Sequence, residues 1–262
     1  MQSDEVDLKI ASKVATITLN RPTHLNAFTI QAVHTLSAAL RECEQSKDVS
    51  VIVLRGAGEK SFSTGADIAL FKDFKNSRDA KNFWEVDAPQ VHRFIEKMTK
   101  PVICAIDGYC LGGGLEIALA CDLTVATKDS KFGFPEVNIA LLPGWGGTQR
   151  ITRILGRLKA KQLVMLGEMI DADEASWLGI VNWVVQREDF DIFVQSLVSK
   201  LTQKSTLVLA YAKDVINRAY DLTLEEGLEY ETNLDTKLMN TEDTKEGIRA
   251  FLEKRKPNYK GV

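Results

Sequence analysis

Glu116 and Glu136 stand in a glycine-rich, largely apolar stretch between Asp107 and Arg150. It reads D-G-Y-C-L-G-G-G-L-E-I-A-L-A-C-D over 107–122, F-G-F-P-E over 132–136 and P-G-W-G-G-T-Q-R over 143–150. Apolar surroundings favour the neutral carboxylic acid, and a second carboxylate nearby pulls the two titrations apart. Such a pair suits proton transfer. Gly112-Gly113-Gly114 follows an apolar run and precedes helical residues. Amides at a helix start are unpaired, and glycine lets a ligand atom come close to them. Ser63-Thr64-Gly65-Ala66-Asp67 repeats that arrangement. Amides from both segments meeting at one point would hold a developing oxyanion. The spacings G-x-G-x-x-G and G-K-[ST] are absent, so a nucleotide phosphate is the weaker reading.

Structural roles compete for the same residues. Glu116 could be an acid favoured by the dipole of its own helix start, and Glu136 a capping residue after Pro135. Asp122 reads as a carboxylate bonded to local backbone. Trp145, between Gly144 and Gly146, reads as a pocket wall. His24, His34 and His92 fall in no triad-like or metal-ligand spacing. Cys43, Cys104, Cys110 and Cys121 form no C-x-x-C pair, which suits buried reduced thiols in a cytoplasmic protein.

The elements that must carry these residues alternate. Residues 5–20 show period-2 patterning, read as two strands with a turn near Ser12–Lys13. Asn20-Arg21-Pro22 ends the second, and Thr29 caps a helix over 30–46. Val51–Leu54 and Val102–Ile106 are continuous apolar runs, as in strands buried on both faces. Between them, 69–100 reads as helical, with Phe71, Phe74, Phe83, Trp84, Phe94 and Met98 as core or lid packing. A helix is expected over about Leu115–Ala120, a strand over Leu123–Ala126, helices over 148–167 and 173–178, and a strand over 180–185. Strands separated by helices imply a sheet that is at least partly parallel. Beyond Phe190, helices are expected over 190–203, 205–220, 223–239 and 243–254, ending in a basic tail.

A net charge of -3 gives no long-range attraction for nucleic acid. No apolar run reaches the roughly 18 residues of a membrane span. The acidic start M-Q-S-D-E-V-D-L does not resemble a signal peptide.

The motifs together resemble the crotonase superfamily, and most of all its enoyl-CoA hydratases. The resemblance runs through L-N-R-P-T-H-L-N-A at 19–27, S-T-G-A-D-I at 63–68, the three motifs of 107–150, and A-F-L-E-K-R-K-P at 250–257. It implies an α/β fold, a crotonase-like spiral of β-β-α units over 1–190 holding the CoA site. A helical C-terminal trimerisation region follows over 191–262. It implies a homotrimer or dimer of trimers acting on an acyl-CoA thioester, without a metal or other cofactor, in the manner of fatty-acid β-oxidation. By resemblance the oxyanion amides are Ala66 and Gly113, the catalytic carboxylates Glu116 and Glu136, and the water-positioning amide Gly144. CoA would be held by His24, Leu25, Ala66, Asp67, Ile68, Lys254 and Lys260. The implied reaction is syn addition of water to a trans-2-enoyl-CoA. The alternatives are a Δ3,Δ2-enoyl-CoA isomerase, a 3-hydroxypropionyl-CoA or branched-chain dehydratase, and a non-catalytic CoA- or RNA-binding member. Family isomerases often manage with the second carboxylate alone, so the presence of both favours hydration.

Overall fold

The computed structural model describes residues 5–262 apart from 75, 77, 79, 80, 82 and 84–87. In chain order its regular elements are β1 (Val6–Ala11), β2 (Val14–Leu19), α1 (Ile30–Gln45), β3 (Val51–Gly56), β4 (Ser61–Ser63), α2 (Ala88–Lys97), β5 (Val102–Ile106), β6 (Tyr109–Leu111) and α3 (Gly113–Ala118). They continue as β7 (Leu123–Thr127), β8 (Lys131–Gly133), α4 (Gly147–Leu166), β9 (Met169–Asp171), α5 (Ala172–Trp177) and β10 (Trp183–Val185). The chain ends in α6 (Phe190–Thr202), α7 (Thr206–Arg218), α8 (Leu224–Leu238) and α9 (Glu242–Leu252).

The strands form two sheets, ordered β1-β2-β3-β5-β7-β10 and β4-β6-β8-β9. In the first, only β1 and β2 pair antiparallel, about a turn whose Ser12 and Lys13 both take positive φ. Three times in succession the chain adds a strand to the large sheet and then one to the small sheet: β3 and β4, β5 and β6, β7 and β8. Each pass lies parallel to the one before. The result is a spiral, which agrees with the fold implied by the resemblance.

The β-branched runs explain the large sheet. Ile52, Leu54, Val102, Cys104 and Ile106 pack into the main core with Leu36 and Leu40 of α1. The alternate residues Val51, Val53, Ile103 and Ala105 face the other way, under Phe190, Val194, Leu197 and Val198 of α6. Strands covered on both faces need no polar side, which is why their sequence is apolar throughout.

Several boundaries differ from the sequence expectation. The segment 69–100 is not one helix: Ile68–Asp73 forms 3-10 turns, Phe74 is extended, and α2 begins at Ala88. Trp84 lies outside the described residues. The chain of α4 is broken at Gly156, where φ is 73° and ψ 167°. The strand expected over 180–185 is confined to Trp183–Val185. The small sheet was not foreseen, because each of its strands has three residues. That is too short for period-2 patterning to register. The tail helices fall where expected, and α8 starts in a capping box formed by Thr223 and Glu226.

Candidate active site

Three neighbouring parallel strands of the small sheet, β4, β6 and β8, deliver the site. Ala66 lies just beyond the end of β4, Gly113 and Glu116 beyond β6, and Glu136 beyond β8. Ligand sites in α/β folds commonly lie outside the carboxyl ends of parallel strands, where successive loops converge. Here the loops enclose a cavity of about 240 Å³ lined by Ala66, Ile68, Gly113, Glu116, Glu136, Gly144 and Trp145, among others.

The amides are placed by backbone pairing. Ala66 forms an isolated parallel bridge with Phe28: Phe28 N–H donates to the Gly65 carbonyl (2.8 Å) and Asp67 N–H to the Phe28 carbonyl (2.9 Å). The N–H of Ala66 therefore points to the opposite side, where the cavity lies. Gly113 is the first residue of α3, two positions earlier than the sequence suggested. Its N–H is one of the unpaired donors that every helix start presents. The two loops touch. A Cβ on Gly65 would stand 2.6 Å from the Gly113 nitrogen, and one on Gly113 would stand 2.3 Å from Trp145 Cζ3. Glycine is therefore required at both positions for the loops to approach, and with them the two amides.

Glu116 lies on α3 at 2 % exposure. Its Oε1 accepts N–H bonds from Trp145 (2.7 Å) and Gly147 (2.6 Å). Gly147 opens α4, so the carboxylate sits at that helix's positive end. Glu116 also lies in the first turn of its own helix, as the dipole reading expected, but its hydrogen-bond donors come from the start of α4. Burial pushes the Glu116 carboxyl up to about 8, with the Glu136 charge adding to the rise. The Gly147 and Trp145 amides, and Arg150 behind them, pull the other way.

Glu136 sits in a 3-10 turn over Pro135–Ile139, and burial pushes its carboxyl up to about 7. Its Oε2 is buried with no hydrogen-bond partner among the described residues. The capping alternative is set aside, because the turn has no side-chain cap hydrogen bond. The two carboxyls interact, so they titrate as a pair rather than independently. Taken singly, the two values would leave the last proton on Glu116. The donors argue otherwise: two amides and a helix start solvate the Glu116 anion, while that of Glu136 has only its own backbone amide and keeps one oxygen buried and unmatched. The bonding geometry assigns the proton to Glu136.

The other expected residues are more dispersed. Gly144 is exposed and lines the cavity, as does Ile68. Asp67 accepts from Arg21 Nη1 and Nη2 (both 3.1 Å) and caps Ala69 N–H (3.1 Å), so its side chain is committed to the loop. His24 and Leu25 are exposed on the neighbouring turn, and the Leu25 carbonyl accepts from Thr64 N–H (3.2 Å). Lys254 and Lys260 lie past α9, where Asp243 takes the Lys260 N–H (2.7 Å). None of Asp67, His24, Leu25, Lys254 or Lys260 lines the cavity among the described residues. Asp122 bonds Val102 N–H (2.7 Å) and Lys213 Nζ (2.8 Å). Its role is structural, as expected, but its partners are distant in sequence. Sequence reasoning read Phe71 only as core or lid packing and passed over two further residues of the cavity wall, Leu141 and Leu142. The last two lie between the P-E and P-G motifs, which was the available signal.

A β-β-α spiral whose strand ends present paired amides and two desolvated carboxyls defines an acid/base catalyst for substrates that become oxyanions. Residues 9–262 match the enoyl-CoA hydratase/isomerase family. The chain is 37% identical over 256 residues to a short-chain-enoyl-CoA hydratase of Clostridium acetobutylicum, covering 98% of this chain and 97% of that one. It is 36% identical over 259 residues to a crotonyl-CoA hydratase of Syntrophomonas wolfei, with 99% of each covered. An enoyl-CoA hydratase structure from Bacillus anthracis superposes with a TM-score of 0.94 at 32% identity, over 98% of this chain and 100% of that one. The chain belongs to the enoyl-CoA hydratase/isomerase family.

Proposed function

We infer that this family member is an enoyl-CoA hydratase, adding water reversibly to a trans-2-enoyl-CoA to give the 3-hydroxyacyl-CoA. The observation that carries the reading is the pair of carboxyls facing one cavity with the Ala66 and Gly113 amides. The thioester oxygen lies against those amides, which hold the enolate-like charge as it develops. Glu116, ionised, takes a proton from the attacking water, and the Gly144 amide helps to hold that water. Glu136, protonated, delivers the α-proton, and in the reverse direction removes it. Water and the two α,β-carbons lie between the carboxyls, so addition to one face is the expected stereochemistry. The backbone of Ala66, Asp67 and Ile68, with the His24–Leu25 turn beside it, holds the CoA end at the mouth. The chemistry calls for no cofactor beyond the CoA carried by the substrate.

We assign the C-terminal helices, over 191–262, to assembly as a homotrimer or dimer of trimers. Apolar side chains left open on these helices support this: Phe251 is 83% exposed, Leu224 80% and Leu252 73%. In that assembly Lys254 and Lys260 reach the CoA phosphates of a neighbouring subunit. Four free cysteines suit a reducing compartment, which supports a cytoplasmic location; an enoyl-CoA substrate would fit a role in fatty-acid breakdown. No described helix is long and apolar enough to cross a membrane. The test is hydration of crotonyl-CoA by the wild type and by Glu116→Gln and Glu136→Gln. Each variant should lose on the order of 10²–10⁴ in kcat, the usual contribution of a positioned acid or base. Near wild-type turnover in either would remove that residue from the mechanism.

A further inference from the structure

We infer that Trp145 sets the length of acyl chain the cavity accepts, an inference that rests on the enoyl-CoA reading above. The cavity has two unlike ends. Ile68 (56% exposed), Ile139 (48%) and Leu142 (69%) stand at the solvent side, whereas Trp145 is 4% exposed. Coenzyme A is large, polar and charged, so it stays at the open end. The acyl tail must then point inward, past the carboxyls and toward the indole.

The indole cannot step aside. Its ring stands against Gly113, where the space for a Cβ is already taken by Cζ3 and Cε3. It packs on Phe28, Phe83 and His92, with ring centroids 5.8, 5.6 and 5.6 Å away. The main chain is pinned from both sides: Trp145 N–H donates to Glu116 (2.7 Å), and its carbonyl accepts from Arg150 Nη1 (3.0 Å). Behind that backbone lies a second cleft of about 1000 Å³, whose wall includes Gly144, Trp145 and Gly146. Trp145 thus separates a small reaction cavity from a much larger space. It touches the base through its amide and the oxyanion glycine through its ring. The site is therefore closed to long tails by the residue that also braces its chemistry.

Removing the ring lengthens the pocket. Each further methylene buried is worth about fourfold in binding, so two or three newly buried methylenes amount to roughly tenfold or more. The experiment is a kcat/KM series over trans-2-enoyl-CoAs of increasing chain length, for the wild type, Trp145→Ala and Trp145→Phe. In the wild type, kcat/KM should fall as the chain lengthens beyond crotonyl. In Trp145→Ala the ratio of a longer enoyl-CoA to crotonyl-CoA should rise by about tenfold or more, with Trp145→Phe in between. Using a ratio removes any common loss from disturbing Glu116. If Trp145→Ala does not fold by circular dichroism, Trp145→Phe and Trp145→Leu carry the same test. A ratio unchanged within about twofold in the folded variants would overturn the assignment to Trp145. A wild type that hydrates no enoyl-CoA at all would instead overturn the hydratase reading.

Discussion

Glu116 and Glu136 face one cavity from walls built in opposite ways. Glu116 stands on a helix inside the core, its Oε1 held by two amides at the start of α4 and Arg150 close behind. Glu136 stands on a 3-10 turn that leads out to the exposed Ile139 and Leu142, with one oxygen buried and unmatched. Both carboxyls are raised by burial, but Glu116 has two amides and a nearby cation waiting for its negative charge, whereas Glu136 has only its own backbone amide. Burial alone makes an acid reluctant to ionise, and preorganised donors decide where the charge settles. On the proposed mechanism, the difference separates a base from an acid in a pair of chemically identical side chains.

The sharpest way to break this comparison is to remove the base and offer two reactions. Glu116→Gln should lose hydration of a 2-enoyl-CoA by about 10²–10⁴ in kcat. Conversion of a 3-enoyl-CoA to the 2-enoyl isomer, which needs proton removal and return but no water, should persist through Glu136. Glu136→Gln should lose both. Parallel losses of both reactions in Glu116→Gln would mean that the two carboxyls act as one unit rather than in separate roles.

A second test works on stability, without substrate. An unfolded glutamate titrates near 4.3, whereas the Glu136 carboxyl is pushed up to about 7 in the fold. The folded state therefore binds the proton more tightly than the unfolded chain does. Stability is undiminished below the unfolded value and declines as the pH rises through the folded one. Glu136→Gln carries no charge to bury. Relative to wild type, its unfolding free energy in urea should be higher at pH 8.5 by on the order of 1–2 kcal/mol, with the gain gone near pH 4. A difference that does not change with pH would show that the Glu136 carboxyl is well solvated after all.

What the sequence disclosed follows the same division. The buried strands were legible because Val51–Leu54 and Val102–Ile106 are runs covered on both faces. Both carboxylates and the glycine loops were legible as chemistry, because glutamate amid apolar residues and consecutive glycines carry a cost that packing alone does not explain. Their meeting point was not. It depends on β4, β6 and β8 lying side by side, and three-residue strands carry no periodic signal. The donors to Glu116 were hidden for a related reason, since they belong to another helix whose start reaches α3 only in the fold. The break at Gly156 was also missed, because an isolated glycine within a helical pattern is usually tolerated.

The smallest expected effect concerns Arg150, which reaches Glu116 only through space and through Trp145. Its Nε and Nη2 bind Glu96 at 2.6 and 2.8 Å, its Nη1 holds the Trp145 carbonyl, and its charge favours the ionised form of Glu116. Arg150→Met removes the cation while keeping much of the side-chain bulk. Glu116 should then hold its proton to higher pH. The acidic limb of the kcat profile reports ionisation of the base, so it should move upward by an amount on the order of half a pH unit. Turnover should recover at alkaline pH, because the base still ionises there. Loss of the Trp145 carbonyl contact alone predicts a different result: kcat lowered by the same factor at every pH, with both limbs in place. A moved acidic limb would extend the electrostatic support of Glu116 to Arg150. A uniform drop would confine that support to the amides of Trp145 and Gly147 and the start of α4, leaving Arg150 to position the loop.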